Sequence, residues 1–301
     1  MLDSIPAILQ AAAASPEKRT IAVAAAQDGD VLQAVAEARR QGIAQAVLTG
    51  NPEGIREMLT RLGENPADYA ILAADTPEQC AALAVAQVQA GRANFLMKGL
   101  LGTGDLMRAV LHRETGLRTG RLISHVMLYE VPGHRMLALT DGGMNTFPDL
   151  EKKGEILENA ARVLCALGYD RISAACVCGA ETVNPKIQST LDAQALANMP
   201  ERWAPYHMTV FGPVGLDLAV SEGACRHKGY AAPGAGQADI LLVPTYEVGN
   251  GIGKAMSLFA GAKNAGIILG AKVPIVLVSR SDSAESKLAS IALGAVTAGK
   301  V

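Results

Sequence analysis

The sequence predicts an α/β protein built as two domains. Apolar, β-rich runs alternate with helical patterns along most of the chain. A repeated strand, helix, strand unit implies a mostly parallel sheet flanked by helices. The rhythm breaks near residue 120, where two long strand patterns lie on either side of Pro132-Gly133, and then resumes. That break has the shape of an antiparallel hairpin or meander. No low-complexity segment, fixed-period repeat or Ser/Pro linker separates the parts, so two domains joined by short crossings fit the chain.

The elements follow in order. TIAVAAA (20–26) reads as a strand, Asp30 as the cap of the helix VLQAVAEARRQ, and Gly42 as its stop. QAVLTG (45–50) is the next strand, with Asn51 as cap and Pro52 in the first turn of PEGIREMLTRLG. YAILAA (69–74) repeats the scheme, and Thr76-Pro77 opens an Ala-rich helix that runs to Gly91. NFLMKG (94–99) is a fourth strand, with a Gly-rich loop and a helix after it. RLISHVMLYEV and RMLALTD form the hairpin pair, followed by a helix over 149–167 and strands at RISAACVCG and HMTVFGP. ADILLVPTYEVGNGIGKAM (238–256) reads as a strand, a Gly-rich loop and a helix start. AGIILG and PIVLVSR are the last strands, and a helix begins near Ser283.

Composition narrows the function. Half of the 301 residues are hydrophobic but only 4% are aromatic, so the core is mostly aliphatic. Lys plus Arg number 27 and Asp plus Glu 29, a net charge of −2. This excludes a strongly basic nucleic-acid binder and a highly charged disordered chain. No apolar run reaches about 18 residues, so no membrane-spanning helix is expected. The start of the sequence lacks a basic stretch followed by an apolar one, which predicts no secretory signal. Five cysteines at 80, 165, 176, 178 and 225, odd in number and irregular in spacing, predict reduced thiols and a cytoplasmic protein. Cys176 and Cys178 would share one face of a strand, but no second pair has metal-ligand spacing. They read as core fillers, and no metal is expected.

Four segments follow apolar strands and are rich in Gly or polar groups, which places them where open α/β sheets gather ligands. In MKGLLGTGDLMRAVL (97–111), Gly99, Gly102 and Gly104 allow close backbone approach, Thr103 can bond a phosphate, and Lys98 and Arg108 supply charge. Its spacing matches neither of the common nucleotide fingerprints, and a tight strand-to-helix turn explains it equally. In TDGGMN (140–145), Asp141 and Asn145 are polar candidates against an ordinary Asp-Gly turn. In VPTYEVGNGIGKAM (243–256), Gly249, Gly251 and Gly253 with Asn250 and Lys254 suit a pyrophosphate, or else a flexible connection. In VSRSDSAES (278–286), Arg280 can bind phosphate through two parallel N–H bonds, Ser279 adjoins it, and Asp282 and Glu285 are nearby carboxylates. Helix capping accounts for part of that stretch. The five histidines are scattered and no G-x-S-x-G elbow is present, so nothing local points to a Ser/His/Asp triad.

Together and in this order, the four segments strongly resemble the phosphate acetyl/butyryltransferase family, and most closely its butyryltransferase branch. The resemblance covers nearly the whole chain. The acetyltransferases' Thr-x-Asp-x-x-Arg pattern is met by Thr103, Asp105 and Arg108, and their Ser-Arg after the last strand by Ser279 and Arg280. Their Asn-x-Gly-x-Lys-like stretch is approximated by residues 250–254. Where they place an aspartate as the proposed base for the coenzyme A thiol, seven residues after the serine, this chain has Ser286. Asp282 and Glu285 are then the carboxylates left to accept the proton, with Glu285 adjacent to the family position.

The resemblance implies a fold like that of isocitrate and isopropylmalate dehydrogenases, usually as a homodimer. It implies a discontinuous domain, 1–120 plus 266–301, an inserted domain, 121–265, and an active site in the interdomain cleft. It implies reversible acyl transfer between coenzyme A and inorganic phosphate, with acyl-CoA, phosphate and acyl phosphate as partners and no cofactor beyond coenzyme A as substrate. Arg108 and Arg280 would bind phosphate, Ser279 would donate to the oxyanion or departing phosphate, and coenzyme A would lie against residues 249–254. A NAD-dependent decarboxylating dehydrogenase on the same architecture is the first alternative, and it needs metal-binding aspartates and an arginine cluster that the sequence does not display. A non-enzymatic two-lobed binding protein is the second.

Overall fold

The computed structural model describes residues 1–277 and 282–301 and contains, among them, eleven strands. They are β1 (Arg19–Ala24), β2 (Ala44–Gly50), β3 (Ala70–Ala73), β4 (Phe95–Lys98), β5 (Ser124–Glu130), β6 (Leu137–Thr140), β7 (Ile172–Val177), β8 (Met208–Val214), β9 (Ile240–Leu242), β10 (Lys263–Leu269) and β11 (Ile275–Val276). The chain divides into two compact units. The first comprises Ser4–Arg121 with Ala265–Val301, and the second Met1–Asp3 with Leu122–Asn264.

In the first unit the order β3-β2-β1-β4-β11 is parallel throughout, and β10 joins β11 antiparallel. Phe95–Met97 and the last four residues of β1 are all buried, which is why these strands read as continuous apolar runs rather than alternations. Side-chain caps start most helices of this unit: Asn51 accepts from Gly54 N–H, Thr76 from Gln79 N–H and Ser283 from Ser286 N–H. The helix after β1 is Gly29–Arg40, and its cap is Asp28, not the expected Asp30. Asp28 Oδ1 accepts the Val31 N–H at 3.0 Å, and Asp30 falls inside the first turn. The last helix, Ala284–Thr297, is buried from Lys287 through Ala295, and its Gly294 lets it rest on Phe95: a Cβ there would lie 2.7 Å from the ring.

In the second unit β5 and β6 form the expected antiparallel pair, and β6-β9-β7-β8 continues in parallel. Gly133 takes the left-handed conformation the intervening turn requires, φ +79°. The helix Leu150–Ala166, capped by Asp149, packs on this sheet. One expectation is overturned here. Residues 249–253 are not a loop before a helix but lie inside the helix Tyr246–Phe259, which Thr245 caps. Glycine costs a helix about 1 kcal/mol relative to alanine, and tertiary packing offsets it. A Cβ on Gly249 would lie 2.7 Å from Val243 Cγ2, and one on Gly253 would strike the Tyr129 hydroxyl. The helix ends on two exposed apolar side chains, Leu258 at 75% and Phe259 at 89%.

Among the described residues no helix is long and apolar enough to cross a membrane. The five cysteines are free thiols. Cys176 lies within β7 in the core, where burial pushes its thiol well above the ordinary value.

Candidate active site

The carboxyl end of β4 carries the first cluster. Lys98, only 8% exposed, turns its ammonium into the following loop, where Nζ donates to the Gly99 and Leu101 carbonyls, both at 3.2 Å. Gly99 is required: any Cβ would run into the Ala24 and Ala25 carbonyl oxygens, to which the Gly99 and Leu100 N–H groups donate at 2.8 and 2.7 Å. The loop enters the helix Thr103–Val110 through Gly102, with no side-chain cap, unlike the helices begun by Asp28, Asn51 and Thr76. Uncapped first-turn N–H groups together with the helix dipole favour an anion. Thr103 is half-buried and Gly104 exposed at that turn. Arg108 pairs with Asp105 at 3.0 Å while remaining 68% exposed, so its guanidinium is held only by a weak surface pair. Beside it a cavity of about 480 Å³ runs between this helix and Pro77–Gln89, walled by Ala82, Leu83, Ala86 and Ala109, with His112 at its rim. That volume lies within the range of small-molecule sites.

The helix Ala284–Thr297 carries the second cluster of the same unit. Ser279 and Arg280 lie outside the described residues. Asp282 is partly buried, and Glu285 is exposed in the first helical turn. Ser286, at the family's aspartate position, donates its N–H to Ser283 Oγ at 3.1 Å. Lys287, which the sequence reading passed over, is 2% exposed. The signal was a lone cation at the head of the apolar run LASIALGA.

The second unit organises its candidates around Asp141. This carboxylate is buried and accepts five N–H groups. Oδ1 takes those of Gly143 and Met144, both at 2.8 Å. Oδ2 takes the backbone N–H groups of His125 and Asn145 at 3.2 and 3.3 Å and Asn145 Nδ2 at 2.7 Å. Asp141 is therefore the brace of its loop. Asn145 Nδ2 also donates to the Ile123 carbonyl at 2.9 Å. Gly142 meets the helix Tyr246–Phe259 at Gly249, and Asn250 Nδ2 reaches the Gly142 carbonyl at 3.5 Å. Gly251 and Lys254 are exposed on the outer face of that helix. Nothing lies within 4 Å of where a Gly251 Cβ would be, and Lys254 makes no hydrogen bond or ion pair with a described residue.

The structure thus gathers Lys98, Thr103, Gly104 and Arg108 on one strand-to-helix turn of the first unit. It gathers Asp141, Asn145, Gly249 and Asn250 around Gly142 in the second. The first arrangement offers buried and exposed positive charge with open N–H groups, which is chemistry for a phosphate. The second joins a loop braced by Asp141 to a helix whose exposed side carries Gly251 and Lys254.

Known proteins resemble this chain over nearly its whole length. The family model described as phosphate acetyl/butaryl transferase matches residues 69–295. The phosphate butyryltransferase of Clostridium acetobutylicum is 42% identical over 286 residues, 95% of this chain and 95% of its own. The phosphate acetyltransferase of Thermotoga maritima is 42% identical over 281 residues, 93% of this chain and 95% of its own. Among solved structures, a branched-chain phosphotransacylase from Enterococcus faecalis superposes with a TM-score of 0.83 at 34% identity, covering 94% of this chain and all of that one.

Proposed function

Since the chain belongs to the phosphate acetyl/butyryltransferase family, we propose that it catalyses reversible transfer of a short-chain acyl group, butyryl or close to it, between coenzyme A and inorganic phosphate. The observation that carries this reading is the Lys98 loop, a buried ammonium set within a glycine turn that opens an uncapped helix. Phosphate is bound by Lys98, Thr103, the Gly104 backbone and Arg108, with Arg280 and Ser279 completing its contacts. The coenzyme A pyrophosphate lies along Asn250, Gly251 and Lys254, where the missing side chain at Gly251 lets it come close.

In the direction of acyl-CoA synthesis a carboxylate, Glu285 or Asp282, takes the thiol proton, because a thiol of pKa about 8.5 is mostly protonated at neutral pH. The thiolate sulfur attacks the carbonyl carbon of acyl phosphate, the bond from that carbon to the phosphate oxygen breaks, and phosphate leaves. Arg108, Arg280 and Ser279 hold the charge on the departing phosphate and the carbonyl oxygen. Acyl transfer leaves oxidation states unchanged, so the chemistry calls for no redox cofactor, and coenzyme A enters as a substrate. Orientation of the two substrates supplies much of the rate. The same reading includes a fold of the isocitrate and isopropylmalate dehydrogenase type, assembly as a homodimer or higher homo-oligomer, and a cytoplasmic location.

The test is phosphate-dependent release of free thiol from a panel of acyl-CoAs. The highest kcat/KM is expected with butyryl-CoA. Equal rates with and without phosphate would remove the reading.

A further inference from the structure

The contacts assigned to phosphate and coenzyme A leave the cavity beside Arg108 unused. It runs from the first turns of the helices Pro77–Gln89 and Thr103–Val110, where Glu78 and Asp105 border it, toward their far ends. Those first turns follow the carboxyl ends of β3 and β4, the side of a parallel sheet where ligands gather. At the far end Gln89, also on the cavity wall, donates from Nε2 to the Gly116 carbonyl at 3.2 Å and ties the two helical segments together. Between these polar ends the walls are hydrocarbon, with Leu83 and Ala86 on one helix facing Ala109 on the other. Hydrocarbon placed there leaves water and gains stability in proportion to the area covered.

Charge and covalent geometry select the occupant. Asp105 holds the Arg108 guanidinium at 3.0 Å, and both residues line the cavity, so its one arginine stands at its edge. In an acyl phosphate a single oxygen separates the carbonyl carbon from phosphorus. A phosphate on Arg108 therefore brings the acyl chain to this wall. The carboxylates of Glu78 and Asp105 disfavour a tail that ends in a second anion, whereas an alkyl chain carries no charge. The volume, about 480 Å³, leaves room for a branched chain as well as a straight one.

We propose that this cavity is the acyl-chain pocket of the enzyme, and that Ala86, Ala109 and Leu83 determine which chains it accepts. The proposal rests on the reading that Arg108 binds phosphate.

The test is phosphate-dependent thiol release from acetyl-, butyryl- and hexanoyl-CoA by the full chain and four variants, Ala86→Leu, Ala86→Leu combined with Ala109→Leu, Leu83→Ala and Arg108→Ala, each also melted thermally. Ala86 and Ala109 are partly exposed and leucine is a good helix former, so the leucine variants are expected to fold. The double variant lowers kcat/KM for butyryl-CoA relative to acetyl-CoA roughly fifteenfold, the worth of burying two methylenes, and Ala86→Leu gives part of that change. Leu83→Ala acts in the opposite sense and raises kcat/KM for hexanoyl-CoA relative to butyryl-CoA roughly fourfold, one methylene's worth. Chain-length ratios that stay at the parent values in the double variant, or acetyl and butyryl rates that fall in step, overturn the proposal. If the double variant does not fold, Leu83→Ala decides alone, and an unchanged hexanoyl ratio there overturns it. An unchanged KM for phosphate in Arg108→Ala removes the underlying reading and the proposal with it. A raised KM there, with parent chain-length ratios in the leucine variants, removes the acyl pocket only.

Discussion

Gly142 and Gly249 meet backbone to backbone: a Cβ on Gly142 would lie 2.8 Å from the Gly249 carbonyl carbon, and one on Gly249 the same distance from Gly142 Cα. Two residues along the same helix, Gly251 faces open space. Alanine should therefore have opposite effects at the two positions. Gly249→Ala is expected to destabilise by about 1–3 kcal/mol through overpacking, and Gly251→Ala to stabilise by about 0.5–1 kcal/mol through helix propensity. Urea unfolding midpoints read both. Gly251→Ala should also raise KM for coenzyme A while leaving that for acyl phosphate unchanged. A stabilised variant with unaltered coenzyme A kinetics would take Gly251 out of the binding surface.

Arg108→Ala should remove a charge-assisted contact to phosphate. The loss is about 1.5–3 kcal/mol, or roughly 10- to 100-fold in kcat/KM for phosphate. Its pair with Asp105 is exposed, so the melting temperature should barely change. Phosphate kinetics that match the unmodified protein would end the assignment.

Asp149 makes one helix sensitive to acid. Its carboxylate accepts the Lys152 N–H at 2.9 Å, and that bond, helped by the Lys152 ammonium 3.3 Å away, holds the carboxyl below its ordinary 3.8. Because the folded value is the lower one, the stabilisation is complete above the unfolded value and disappears as pH falls through the folded one. Asp149→Ala should melt earlier than the parent at neutral pH, and the two melting curves should converge in acid. A constant gap down to the lowest pH would contradict this linkage.

The thiol base is decided by pH profiles of Glu285→Gln and Asp282→Asn. The variant lacking the base should lose turnover together with the acidic limb of kcat. Both limbs intact at full rate would assign thiol activation to another group, including substrate phosphate.

Much of this architecture was legible because parallel strands buried on both faces leave unbroken apolar runs, as in Ile21–Ala24 and Phe95–Met97. Asn51 and Thr76 were legible as caps because a proline follows each in the first turn. Asp28 and Asp30 flank one glycine, and local spacing does not say which carboxylate turns back to the helix. The three glycines of Tyr246–Phe259 read as a loop because the reason for two of them lies far off in sequence, in Gly142 and Tyr129. Asp141 read as a ligand for a similar reason. Four of its five N–H partners lie within four residues, which the spelling TDGGMN permits but does not declare. Lys287 stayed hidden because a lysine at a helix start reads as solvated until the packing around it is known.

The apolar tip at Leu258 and Phe259 bears on how the enzyme's own substrate is handled. Phosphate is a salting-out anion, excluded from protein surfaces and able to strengthen the drive to hide hydrocarbon from water. A titration that raises phosphate toward saturation therefore also presses these two side chains, 75% and 89% exposed, to find cover. Turnover and self-association then change along one axis. Exchanging phosphate for chloride at fixed ionic strength lowers this salting-out pressure but does not remove the coupling, so light scattering at each point is what distinguishes occupancy of the Lys98 loop from crowding at Phe259.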